Sequence, residues 1–489
     1  MKVETSGHQM AKDPITEAFS RLLARNPLAV LVASPAMRAT VADVDAMART
    51  VEQRIGKAGL GDAAPIALRA PNGPGFLAVL LACRRAGAAA LLLDERTTDH
   101  EADRITRRLG AAGLVSCSVA WPGDEGGISV RATGHCMVAD LPDRVAVIKM
   151  TSGSTGEPQG IAIAGESLLA DDEALTATMG ITPSDRLLAT VPFSHSYGLS
   201  SLVMPALVRG CTLIVPAGRG PFDPLTAAGV LDATVFTTVP AYLSALLRVS
   251  DRIEFPSSLR LVVSAGAPLI PETAVRFRER HGRFAHVFYG ASECGGITYD
   301  AEGSAAERGT LGEPIRGVRI RLETMDGKQG NVGRIVVSSP AVAESYYPDS
   351  DDDLRDGYFV SSDLGSWTGS ELKLAGRVDE VINIRGRKIN PREIERVIEK
   401  LEHVDEVKVL GVLMPESGDT VLRAVIACPS GALDWDRVRS WCRGRLSDFK
   451  IPRSVVLVDR LPRDDRGKIV RAELVRGAGV DDRSGHERN

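Results

Sequence analysis

Aromatic residues make up only 4% of this 489-residue chain. So thin a supply does not build the stacking platforms on which single-stranded nucleic acids lie. Neither sign of charge is in excess: 59 Lys and Arg stand against 63 Asp and Glu, interspersed, for a net −4. No global field pulls the molecule onto DNA or an anionic bilayer, so neither a nucleic acid nor a membrane is expected as a partner. The seven cysteines are odd in number and none are paired at C-x-x-C spacing, which argues against a disulfide framework and a zinc site. A reducing cytoplasm is the expected location. The opening MKVETSGHQMAKDP lacks the apolar core of a signal peptide. Nowhere do about 18 apolar residues run together, so no membrane span is expected.

What is present is an ordinary globular composition, 44% hydrophobic and 25% charged, with 48 glycines. The length calls for two or three domains. Val41 to Lys57 reads as an amphipathic helix, Ala64 to Leu68 as a strand, Gly75 to Ala86 as a buried helix and Ala88 to Leu93 as a strand. Further strands are expected at Val145–Met150, Arg186–Thr190, Thr212–Val215, Val235–Thr238, Leu261–Ser264 and His286–Tyr289. Such alternation predicts an α/β fold with mostly parallel sheets covered on both faces. After Thr310 short alternating strands, Val318–Glu323 and Gly333–Ser338, predict a small β-rich subdomain. A last α+β unit starts near Gly376, with helices at Pro391–Leu401 and Asp434–Leu446 and strands at Val404–Leu413 and Leu422–Ala427.

The strongest local signal is Thr151-Ser152-Gly153-Ser154-Thr155-Gly156-Glu157-Pro158-Gln159-Gly160, directly after a strand. Hydroxyls interleaved with glycines offer donors and approachable backbone N–H groups to an anion. It is not the G-x-x-x-x-G-K-[ST] loop of the usual nucleotide triphosphatases, and alone it reads equally well as a Ser/Gly-rich surface turn.

It is followed, in order, by Tyr289-Gly290-Ala291-Ser292-Glu293, by Gly357-Tyr358-Phe359-Val360-Ser361-Ser362-Asp363-Leu364-Gly365, and by Gly376-Arg377-Val378-Asp379-Glu380. Then come Arg385-Gly386-Arg387-Lys388-Ile389-Asn390-Pro391-Arg392-Glu393-Ile394-Glu395 and Leu461-Pro462-Arg463-Asp464-Asp465-Arg466-Gly467-Lys468. With these six motifs, from about Thr40 to Arg471, the sequence resembles the adenylate-forming superfamily of acyl- and aryl-CoA synthetases, peptide-synthetase adenylation domains and luciferases. The resemblance implies a large N-terminal domain (14–376) of two α/β sheet subdomains plus the β-rich one, and a mobile small C-terminal domain (377–480). It implies an AMP-forming acid–thiol ligase using ATP and Mg²⁺, which makes an acyl-adenylate and passes the acyl group to a thiol.

Bringing a carboxylate to the α-phosphate sets anion against anion, a repulsion of roughly 4 kcal/mol at 4 Å and an effective dielectric of 20. The implied roles answer that need. Thr151, Ser152, Gly153, Ser154, Thr155 and Gly156 would clasp the β- and γ-phosphates. Glu293 and Thr155 would hold the metal, a hard cation suited to oxygen ligands. Tyr289, with Gly290 and Ser292 beside it, would lie against the adenine. Asp363 would accept from the ribose, helped by Arg377. Lys468 would bridge carboxylate and phosphate in adenylation. Gly386 and Lys388 would then enter to form the thiol tunnel, a glycine admitting a slender pantetheine arm.

Three positions depart from the family pattern: Gln159 in place of Lys, Ser361-Ser362 before Asp363 in place of Thr-Gly, and Arg334 in place of Glu. The loss of a cation at Gln159 predicts weaker ATP affinity. In Pro192-Phe193-Ser194-His195-Ser196-Tyr197-Gly198, resembling the segment that closes the acid pocket, Ser194 stands where amino-acid-activating relatives have Asp, so a free amino acid is disfavoured, and the small residues of Ser264-Ala265-Gly266-Ala267 and Gly295-Gly296-Ile297 leave room for a fatty or aromatic acid. His195 is a candidate gate or catalytic group, though a histidine packed against the fold reads as well. His195, Ser196, Tyr197, Gly266, Ala267, Gly295 and Gly296 are the candidate pocket walls. The acceptor thiol belongs to coenzyme A or to the phosphopantetheine of an acyl carrier protein, with coenzyme A preferred.

Overall fold

A computed structural model describes residues 13–474, apart from 62–63, 119–120, 137, 153–157, 219, 249–253, 325–330, 356, 379–381, 385–386, 390, 414–419, 430–431, 444, 447–449, 464–468 and 471–472. The chain divides into two compact units. The larger holds residues up to 322 with 336–361 and 367–373; the smaller holds 323–335, 362–366 and everything from 374. Among the described residues no helix is long and apolar enough to cross a membrane.

Two sheets form the larger unit. The nine-stranded one runs, in spatial order, Glu313–Pro314, Gly295–Tyr299, His286–Ala291, Leu261–Ser264, Val235–Thr238, Arg186–Ala189, Thr212–Ile214, Val30–Ala33 and Arg38–Thr40. Its six middle strands, from His286–Ala291 to Val30–Ala33, are parallel, and antiparallel strands close both edges. The seven-stranded sheet runs Ser345–Tyr347, Pro158–Ala164, Val145–Ser152, Ala90–Leu93, Ile66–Arg69, Gly113–Cys117 and Ile128–Ala132. The four strands from Val145–Ser152 to Gly113–Cys117 are parallel, while Pro158–Ala164 returns antiparallel beside Val145–Ser152.

Local chemistry explains the element ends. The helix Val41–Lys57 begins at a capping box in which Thr40 Oγ1 accepts from Asp43 N and the Asp43 carboxylate accepts from Thr40 N. The helix Pro74–Arg85 starts on a proline and is buried almost throughout, as an apolar helix inside an α/β layer must be. Its buried Arg84 is matched by Asp13 at 2.9 Å and by the carbonyls of Ala88 and Val145. The β-rich stretch after Thr310 is present as Arg319–Glu323, Gly333–Ser338, Leu354–Arg355 and Tyr358–Thr368.

The smaller unit has a three-stranded sheet, Glu406–Leu413, Thr420–Ala427 and Ser454–Val458, and a hairpin of Ile382–Ile384 with Arg387–Ile389. The helices Pro391–Ile398 and Trp435–Arg443 supply a core around Ile389, Ile394, Ile398, Leu422, Ile426 and Cys442. Glu395, 1% exposed, is satisfied by Arg392 at 3.1 Å, Lys408 at 3.4 Å and the Val409 N–H at 3.0 Å.

Candidate active site

Ligands of open α/β sheets gather beyond the carboxyl ends of the strands. Here both sheets present those ends to one another, and two polar links lace them. Asn72, just past Ile66–Arg69, donates to Val191 O at 2.9 Å and accepts from Phe193 N at 2.8 Å. Asp94, just past Ala90–Leu93, faces His195 Nε2 at 3.1 Å. Both partners lie in the segment after Arg186–Ala189, so one sheet's loops hold the other's. An edge-to-face contact of Phe76 with Phe193, centroids 5.6 Å apart, packs the seam.

The Pro192–Val203 segment turns sharply. Gly198 is required there, because a Cβ would stand 2.0 Å from Pro192 O. Leu199–Val203 then forms a π-helical turn, a geometry concentrated at functional sites. Tyr197 donates to Val263 O at 2.9 Å and tilts against Phe288, and burial pushes its phenol well above the usual range. Tyr197 is thus fixed in place and kept protonated rather than poised as an acid. Ser196 Oγ donates to Ser292 Oγ at 2.6 Å, joining this segment to the turn that follows His286–Ala291.

That turn, Ser292 to Cys294, leads into Gly295–Tyr299 and carries Glu293. Gly295 has φ +71°, and a Cβ on it would meet the Asp171 carboxylate at 2.4 Å; Gly296 N donates to the same carboxylate at 3.0 Å. Tyr346 donates to Glu293 Oε1 at 3.1 Å, and burial followed by the Glu293 charge raises the Tyr346 pKa. Burial first, then the charges of Glu293 and Asp171, keep the Cys294 thiol protonated. Gly266 is exposed with φ +84°, and a Cβ on it would find Val239 as its nearest neighbour, 3.9 Å away, so the space beside it is open.

The structure therefore brings His195, Ser196, Tyr197, Ser292, Glu293, Gly295 and Gly296 to one seam. In the smaller unit Arg377 donates to Asp363 at 3.1 Å, so the two expected ribose residues are in contact. Tyr289 and Gly290 end the strand that leads into the Glu293 turn. Thr151 and Ser152 end the strand Val145–Ser152, facing Gln159 and Pro158 across the hairpin. Gly153, Ser154, Thr155, Gly156, Gly386 and Lys468, and the side chains of Ser152 and Lys388, lie outside the described residues. The side-chain amide of Gln159 donates to Asp349 O at 3.3 Å.

Asn72, Asp94, Asp171 and Tyr346 are not legible in the sequence. Each acts across 53 to 125 positions of chain, and nothing in its own neighbourhood marks it. The chemistry of the donors fits magnesium. Glu293 offers a carboxylate oriented by one hydroxyl, and among the described residues no three His, Cys, Asp or Glu cluster as a cage. Magnesium is commonly held by one or two carboxylates, with phosphate and water completing its shell.

The AMP-binding enzyme model matches residues 19–347, and the AMP-binding enzyme C-terminal domain model matches residues 393–468. The chain belongs to the AMP-binding enzyme family. It is 28% identical over 484 residues to a feruloyl-CoA synthase of Amycolatopsis sp, covering 93% of this chain and 97% of that protein. It is 29% identical over 440 residues to an indoleacetate–CoA ligase of Aromatoleum aromaticum, covering 81% and 85%. ATP-bound MatB from Rhodopseudomonas palustris shares the fold at a TM-score of 0.81, with 24% identity over 94% of this chain and 98% of that one. O-succinylbenzoate coenzyme A synthetase from Bacillus subtilis, in complex with ATP and magnesium ion, does so at 0.78, with 23% identity and the same coverage.

Proposed function

We propose that this protein activates a carboxylic acid with ATP and Mg²⁺, releasing pyrophosphate and forming an acyl-adenylate, and then transfers the acyl group to the thiol of coenzyme A. The observation that carries this reading is the Ser196–Ser292 hydrogen bond at 2.6 Å. It sets the segment expected to close the acid pocket against the turn expected to hold the metal, as carboxylate attack on a metal-bound nucleotide requires. Most of the relatives matched along most of the chain are named CoA synthases or ligases, and the two reported above are named for aromatic acids. An aromatic or fatty acid is the substrate class.

In this reading residues 14–376 form the adenylation domain and 377–480 the small domain, with Lys468 serving the first half-reaction and Gly386 and Lys388 the second. Thr155 and Glu293 would hold Mg²⁺, which would supply Lewis-acid polarisation of the phosphate oxygens. Asp363 and Arg377 take the ribose. Acid-dependent pyrophosphate release, measured across aryl, fatty and amino acids with and without coenzyme A, tests the proposal. Release stimulated by one acid class and by coenzyme A is expected. Release indifferent to coenzyme A moves the acceptor to a carrier-protein phosphopantetheine, and silence with every acid overturns the reading.

A further inference from the structure

Lys149 has no part in that scheme, yet it is placed where a charge costs most. It lies in Val145–Ser152, two residues before Thr151, and the register puts it on the face shared with Thr151, Gln159 and Ile161. The residue is 3% exposed, and a buried ammonium is unfavourable unless other charges answer it. The helix Gly165–Met179, which carries Asp171, packs against both this strand and Gly295–Tyr299; burial lowers the Lys149 pKa, and the charges of Asp171, Glu293 and the Cys294 sulfur oppose that shift from beyond ion-pair distance.

Asp171 is itself 4% exposed, on the helix Gly165–Met179. Its carboxylate takes the Gly296 N–H at 3.0 Å and sits so close under Gly295 that no side chain would fit there. Three elements thus converge beneath one turn: the strand leading to the Ser/Gly loop, a helix, and the turn bearing Glu293. Two carboxylates there share one ammonium, and a solvent-excluded charge acts over longer range than a surface one.

We propose that Lys149 is a positioning residue: its buried charge, set against that of Asp171 on the neighbouring helix, governs how the Glu293 carboxylate stands in the Ser292–Cys294 turn and how strongly the site holds a magnesium–nucleotide complex. The inference rests on the functional reading given above and extends it to a residue that touches neither acid nor nucleotide.

The test is calorimetric binding of α,β-methylene-ATP with Mg²⁺ to the full chain, beside thermal melting. Lys149→Met leaves two carboxylates unbalanced, and the dissociation constant rises about tenfold. Adding Asp171→Asn restores the charge balance and keeps an acceptor for Gly296, so the double variant returns to within about threefold of wild type. A purely structural role would lower the melting temperature of Lys149→Met while leaving the binding of the folded fraction unchanged, and that result overturns the inference. Should Lys149→Met not fold, Asp171→Asn carries the test. Lys149 is then left to Glu293 alone, and the Mg²⁺ needed for half-saturation rises about threefold; no change overturns the inference. Wild type that binds no analogue overturns the functional reading and the inference with it, whereas equal binding by wild type and Lys149→Met overturns the inference alone.

Discussion

The imidazole of His195 lies 3.1 Å from the carboxylate of Asp94, 101 residues away and on the other sheet. Asp94→Ala releases His195 from its partner at the mouth of the expected pocket. The KM for the acid is expected to rise about 3–10-fold with kcat little changed, because an orienting contact is lost and no reacting group is. Both side chains are partly exposed, so the melting curve should move little, within ~1 kcal/mol of stability. An unchanged KM would leave His195 as a packing residue only.

Tyr346→Phe removes the hydroxyl that orients Glu293. Groups that orient a metal's ligands are commonly worth about tenfold or more in metal affinity, and the Mg²⁺ concentration for half-maximal pyrophosphate release should rise by that order. Titration of magnesium at saturating ATP measures it.

Gln159→Lys restores a cation on the arm of the hairpin. It gives up the amide's contact with Asp349 O, an exposed hydrogen bond of little net value. The KM for ATP is expected to fall a few-fold, roughly the effect of ~1 kcal/mol from a solvent-exposed charge. Initial rates over an ATP series decide it.

Lys468→Ala should slow adenylation by about 10²–10³-fold, the scale of losing one charge-stabilising group. Thioester formation from supplied acyl-adenylate should survive. A bulky residue at Gly386 should do the reverse. Assaying the two half-reactions separately checks both, and equal losses in both would count against a division of labour between Lys468 and Gly386.

Asp172 gives a pH signature. Burial pushes its pKa from 3.8 up to about 6 despite Arg209 at 2.8 Å, and its Oδ1 has no hydrogen-bond partner. The folded state therefore binds a proton that the unfolded state releases. The stability this group contributes is present below about pH 4 and lost as pH rises through about 6, by on the order of 1–3 kcal/mol. Denaturation of wild type and Asp172→Asn at pH 4 and pH 6.5 should show this slope in the wild type and its absence in the variant.

Much of the fold is legible because local chemistry and tertiary packing agree. Val235–Thr238, Leu261–Ser264 and Gly333–Ser338 are β-branched runs whose ends match the structure, and Val41–Lys57 carries its own capping box. The return strand Pro158–Ala164 is not legible as a strand. Six of its seven residues are buried, which erases the alternation that marks a half-buried strand. The π-helical turn at Leu199–Val203 is equally silent, since nothing distinguishes its apolar residues from an α-helix. At the site, the motifs point to Glu293, Asp363 and Arg377, but not to what holds the first of them. Tyr346, Asp171 and Asn72 take their places only through contacts made when distant strands meet.

The pairing of Val32 with Leu213 has a temporal side. About 180 residues must be made between the two, which at ribosomal rates of about 5–20 residues per second takes roughly 10–35 seconds. For that interval Val30–Ala33 has no strand to join except Arg38–Thr40, with its apolar edge uncovered, while six of the seven strands of the other sheet, from Ile66 to Ala164, are being synthesised. The nascent chain thus finishes most of its second sheet before it can close its first, and the ribosome-bound species most in need of a chaperone is the one that displays Val30–Ala33.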